Sequence, residues 1–86
     1  MTIQIRYFAS LREALGAGEA LALEPGAPAL TVGALRDQLI ARGGAHAEML
    51  ARGRALRAAL NQTMCAETAE IADGAEVAFF PPVTGG

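Results

Sequence analysis

The side chains able to do chemistry are few and scattered. Among 86 residues there is one histidine, His46, and one cysteine, Cys65. A general base or a metal ligand needs partners, and His46 follows Gly43-Gly44-Ala45 with no cysteine or second histidine near it. It is expected as an exposed loop residue. Cys65 lies between Met64 and Ala66, where no cation lowers its pKa, and reads as a small apolar residue beside a strand. Glu67 and Glu70 are close in sequence, but a polar edge strand accounts for them. Ser10 and Glu13 have capping-box spacing, so Ser10 reads as a helix cap rather than a nucleophile. The stretch "GALRDQ" lacks the Lys-Ser/Thr of a phosphate-binding loop. The parts of a self-sufficient enzyme are missing, and no metal site is expected.

The remaining candidate is the end of the chain, "FFPPVTGG". Gly85 and Gly86 have no Cβ, so a carboxyl group on Gly86 is sterically bare. A C-terminal carboxylate has a pKa near 3.5 and is a poor electrophile at neutral pH. To react it must be activated, most simply as a mixed anhydride with a nucleotide. The chain offers no nucleotide site, so a partner must do this. Pro81 and Pro82 cannot donate ladder hydrogen bonds, which ends the sheet at Phe80 and stiffens the exit. The six residues from Pro81 to Gly86 reach about 20 Å when extended. The reading is a domain over 1–80 and an extended tail over 81–86, free of charged side chains, whose end is threaded into another protein.

Positioning such a tail requires a sheet and a docking surface. "TIQIRYF" alternates, with Ile3, Ile5 and Tyr7 on one face and Gln4, Arg6 and Phe8 on the other. "EVAFF" alternates too, placing Val77 and Phe79 opposite Glu76, Ala78 and Phe80. If these strands are neighbours, Phe8 and Phe80 share the face that a single helix leaves uncovered, an apolar patch suited to docking. The other elements follow from pattern and punctuation. A short helix runs over "SLREALG" and stops at Gly16, and "EALALEPG" is a second strand paired with the first. Thr31 caps the main amphipathic helix from Val32 to Arg42, with Arg42 in its last turn and Gly43-Gly44 ending it. Met49 and Leu50 suggest a further helical piece. Arg54–Thr63 contains a strand, with Leu56, Ala58 and Leu60 at period 2 and a turn at Asn61-Gln62-Thr63. A weak strand surrounds Ile71 before an Asp73-Gly74 turn. This order predicts an α+β domain of β-grasp type: a mixed sheet with one main helix on one face, the first and last strands parallel at its centre.

Composition sets further bounds. The length suits one domain. Net charge is −2, with no basic patch, which argues against a nucleic-acid partner. All seven cations are arginine, so no lysine of this chain can accept an isopeptide bond or form a Schiff base. No signal peptide or membrane span is evident, and a cytoplasmic protein is expected.

"NQT" at Asn61–Thr63 and "DGAEVAFFPPVTGG" at Asp73–Gly86 resemble the ubiquitin-like MoaD family, the sulfur-carrying small subunits of molybdopterin synthase. "IRYFASLREALG" is similar to that family's first strand and helix. The resemblance implies that Gly86 is adenylated by a ubiquitin-activating-like adenylyltransferase that uses ATP. Sulfur then replaces AMP to give a thiocarboxylate, with no cofactor bound by this chain itself. It implies that the tail enters the large, catalytic subunit, in a heterotetramer, and gives sulfur to cyclic pyranopterin monophosphate. Gly85 and Gly86 carry the chemistry on this view. Val83 and Thr84 line the partner's channel behind Pro81 and Pro82, and Phe8, Met64 and Phe80 form the docking patch. Two alternatives share the fold and tail: a sulfur carrier for thiamine or thiolated nucleotides, and a ubiquitin-like protein modifier. The absence of the arginines that precede Gly-Gly in ubiquitin argues against the last.

Overall fold

The computed structural model describes residues 1–24 and 29–82. Strand β1 (Thr2–Tyr7) alternates strictly between exposed and buried residues, and α1 (Ser10–Leu15) follows it. Next come β2 (Gly18–Ala22), the two-residue β3 (Leu30–Thr31), α2 (Val32–Ile40) and α3 (Gly44–Met49). The chain finishes with β4 (Arg57–Leu60), β5 (Thr63–Cys65), β6 (Glu70–Ile71) and β7 (Glu76–Phe80). Five strands form one sheet in the order β2-β1-β7-β4-β5, and β3 pairs with β6 in a separate two-stranded ladder. β1 and β7 are parallel, with Ile5 opposite Val77 and Tyr7 opposite Phe79; the other pairs in the large sheet are antiparallel. This is the α+β β-grasp arrangement expected from the element order.

The core lies between this sheet and α2. Ile3, Ile5, Tyr7, Val77 and Phe79 from the two central strands meet Val32, Leu35 and Leu39 of α2, with Leu11 and Leu50 closing the ends. A parallel central pair needs apolar side chains on its helix-covered face, and the period-2 pattern of both strands supplies them. Thr31 caps α2 as expected, its hydroxyl accepting from the Ala34 N–H at 3.1 Å. Gly18 is required at the start of β2: its φ is +154°, and a Cβ there would overlap the Ile5 carbonyl oxygen.

Several local expectations are corrected. Ser10 is the first residue of α1, not its cap; Ala9, at φ 53°, precedes the helix and makes no side-chain cap bond. The chain reverses sharply out of β1, so the Phe8 carbonyl accepts from the Leu11 and Arg12 N–H groups instead. Helix α2 stops at Ile40. Arg42 lies beyond it, in a tighter turn where its N–H donates to Leu39 O. Asn61 and Gln62 both have positive φ, as a two-residue hairpin turn demands, and Thr63 belongs to β5 rather than to the turn.

Candidate docking groove and tail exit

The face of the sheet away from α2 is built from residues in phase with Phe80. Along β7 these are Glu76, Ala78 and Phe80. In register beside them lie Arg57 and Ala59 of β4, with Arg57 opposite Phe80 and Ala59 opposite Ala78. Met64 of β5 is opposite Ala59. On the other flank Arg6 is opposite Ala78, and the Phe8 N–H extends the parallel pairing by one bond to Phe79 O. Phe8 therefore stands next to Phe80 although β1 has ended.

Small residues between large ones make a groove. Ala59 and Ala78 are almost fully covered, whereas Phe8 and Met64 are 43% and 57% exposed. The cavity has a volume of about 410 Å³ and is lined by Phe8, Ala59, Ala78, Phe80 and Pro81, with Gln62 and Glu76 toward the start of β7. Two large apolar side chains left in water beside a shallow apolar groove are the surface chemistry of a binding face. Of the residues expected to form a patch, Phe8, Phe80 and Pro81 line one cavity. Met64 lies one strand further along the same face and does not line it. Pro82 is half-buried. Val83, Thr84, Gly85 and Gly86 lie outside the described residues.

Sequence reasoning does not single out Ala59 and Ala78, the two alanines of the groove floor. Their signal was present, because "AAL" and "VAF" place a small residue in phase with Phe80 on adjacent strands. Sheet hydrogen bonding stops at Phe80, so the tail leaves from the end of the groove.

The opposite side of the molecule holds the fixed charges. Arg36 of α2 is buried. Its Nε donates to Leu50 O at 2.8 Å, and Nη2 donates to Ala51 O and Arg54 O. Its Nη1 meets Glu67 at 3.0 Å. Arg52 binds the same Glu67, together with Asp37 and the Gly33 carbonyl. Glu67 is therefore the hub of an ion network and belongs to no strand, contrary to expectation; only Glu70 sits in one. Hydrogen bonding from Arg52, then the charges of both arginines, hold the Glu67 carboxyl below the usual range. Arg36 could have been read from the sequence, since it falls on the Val32-Leu35-Leu39 stripe of α2. Three of its donated bonds satisfy carbonyls of the α3–β4 connection, which lies outside the sheet ladders, and a fourth goes to Glu67.

A second cluster joins β1, β2 and the ends of α2 and α3. Arg42 pairs with Glu19 at 2.7 Å, and this hydrogen bond lowers the Glu19 pKa. His46 is not an exposed loop residue. It lies in α3 with Nε2 buried, 3.8 Å from Glu19 and edge-on to the Tyr7 ring. Burial pushes the Tyr7 hydroxyl up to about 12. Cys65 is half-buried, and burial raises its pKa too, so its thiol stays protonated and unreactive at neutral pH.

The comparisons agree with this geometry. The chain is 44% identical over 84 residues to the molybdopterin synthase sulfur carrier subunit of Escherichia coli strain K12, covering 98% of this chain and 99% of that protein. Its structure matches that of SAMP1 from Haloferax volcanii with a TM-score of 0.74 at 26% identity, covering all of both chains. It also shares its fold, at a TM-score of 0.67 and 22% identity over the full length of both chains, with a chain of the complex of subunits 1 and 2 of molybdopterin-converting factor from Helicobacter pylori. The model of the ThiS family matches residues 5–86, from the centre of β1 through the terminal Gly-Gly. With nearly all of the sheet and the whole of the groove inside that match, the chain belongs to the ThiS family.

Proposed function

We propose that this protein is the sulfur carrier of molybdopterin synthesis, working through the carboxyl group of Gly86. That carboxylate attacks the α-phosphorus of ATP on an adenylyltransferase, releasing pyrophosphate and leaving an acyl-adenylate. Sulfur at the sulfide oxidation level then displaces AMP, giving a thiocarboxylate. Inside the large synthase subunit the sulfur attacks a carbon of cyclic pyranopterin monophosphate and displaces an oxygen from it, the C–O bond breaking as the C–S bond forms and the oxygen keeping the electron pair; a second carrier repeats the step for the second sulfur of the dithiolene. Water cleaves the resulting thioester, which leaves sulfur on the pterin and returns the Gly86 carboxylate.

The division of labour follows from what this chain contains. Its sequence carries no phosphate loop, and among the described residues no cluster could hold a metal, but it has a sheet that docks and a bare end that reaches. Docking converts the transfer into an effectively intramolecular reaction, with the tether setting the local concentration. The observation that supports the reading is a coincidence of place: the apolar groove ends where the "PPVTGG" segment begins.

The test uses the full chain, ATP, the adenylyltransferase and a sulfide source, followed by the large subunit and the pterin substrate. Intact mass should rise by the exchange of one oxygen for sulfur, and dithiolene should form. A chain lacking Gly86 should do neither. Full dithiolene formation by that truncated chain would overturn the reading. Cellular adducts of other proteins with this chain would instead favour a modifier.

A further inference from the structure

We propose that the open face selects its partner by charge as well as by apolar contact, with Arg57 and Arg6 seating against carboxylates at the rim of the surface that covers the groove. This rests on the sulfur-carrier reading, in which that surface belongs to the large subunit of the synthase.

The strand registers place both arginines on the groove face. Arg57 is the direct cross-strand neighbour of Phe80, at the end of the sheet from which the tail departs. Arg6 stands between Ala78 and Gly18, neither of which can pair with it or cover it. Both are exposed, and among the described residues neither makes an ion pair. Arg36, Arg42 and Arg52 behave differently: each meets a carboxylate of this chain. The outer positions of the five strands carry one carboxylate, Glu76, against these two cations. The face is thus positive on a molecule whose net charge is −2.

Covering the groove with a neutral apolar surface would pull both guanidinium groups toward an interface that offers them nothing, and an unpaired charge losing its water is costly. A partner with carboxylates outside its apolar centre removes that cost. Arginine suits this role, because its planar fork takes a carboxylate in two parallel hydrogen bonds and gives up water more readily than lysine. Rim charges of this kind act mainly on the rate of encounter and on rejection of partners with the wrong charge.

The experiment measures the association rate constant of the full chain with the purified large subunit by stopped flow, across ionic strength. At low salt, R6E/R57E should associate about tenfold more slowly than the wild type and lose most of the salt dependence. R6Q/R57Q should fall between the two. E76Q should associate faster than the wild type, a change of sign that misfolding does not produce. Wild-type binding with R6E/R57E rates within twofold of it and an unchanged salt slope would overturn the charge assignment while leaving the sulfur-carrier reading intact. Failure of the wild type to bind the large subunit at all would overturn both.

Discussion

On the helix side of the sheet, Arg36, Arg42 and Arg52 are bound to Glu67, Glu19 and Asp37, and buried carbonyls take up the remaining donors of Arg36. On the open side, Arg6 and Arg57 stand beside Phe8, Phe80 and two alanines with no carboxylate of the described chain engaged. The same residue type thus does two jobs. Where arginine is satisfied internally it ties loops to α2, and it should matter for stability. Where it is left in water beside apolar side chains it contributes little to folding and should matter for association. An 86-residue domain has little core to spare, so concentrating its polar bonds on one side leaves the other free to change with the partner.

The largest effect expected from breaking this contrast is at Arg36. Replacing it with Met strands three carbonyls and takes one of the two arginine partners from Glu67, and should cost about 3 kcal/mol of unfolding free energy in urea melts. Association with the large subunit, measured on the folded fraction, should be unchanged.

Phe8→Asp should do the reverse. The side chain is 43% exposed, so the urea midpoint should barely move. Affinity for the large subunit should fall about 30-fold by titration calorimetry, the scale of losing an aromatic anchor.

Glu67→Gln is a smaller change. Its side chain is 40% exposed, and solvent screening limits the loss to less than about 1 kcal/mol at pH 7. The sign with pH is fixed by the direction of the shift. Because the folded-state pKa is lowered, the ionised group stabilises the fold above its ordinary value of 4.5, and that contribution is lost as pH falls through the folded value. Urea melts of wild type and variant should therefore converge in acid. The smallest change is expected for Met64→Ser, at 57% exposure and outside the groove: a stability shift within about 0.5 kcal/mol and a few-fold loss of affinity.

The sheet was readable from the sequence because its signals were local and repeated. "TIQIRYF" and "EVAFF" each fix a face by alternation, and their parity alone put Phe8 and Phe80 together. The two-residue β3 and three-residue β5 are not legible in the sequence, since so short a strand carries no period; β3 exists because the distant β6 pairs with it, and β5 because the chain turns back on β4 at Asn61-Gln62. The polar network was harder to read for a different reason. Arginine on a helix ordinarily points to water, and only the covered connection around Leu50, Ala51 and Arg54 reveals why Arg36 turns inward. His46 is illegible for a similar reason: two glycines before it read as a loop, whereas Gly44 begins α3. Even Met64, recognised through family resemblance rather than strand pattern, takes its place on the open face from the register of a strand that the pattern did not show.

The position of β7 has a consequence for how the protein is made. It follows every other described strand along the chain and so leaves the ribosome after them, yet it occupies the middle of the sheet, between β1 and β4. Until it emerges, those two strands have no common partner, and a nascent chain can assemble neither the central ladder nor the floor residue Ala78. A stalled or prematurely terminated product therefore displays no groove. On the sulfur-carrier reading no separate inspection step is needed to keep unfinished chains from the partner, because the segment that completes the fold is the same one that leads into the tail.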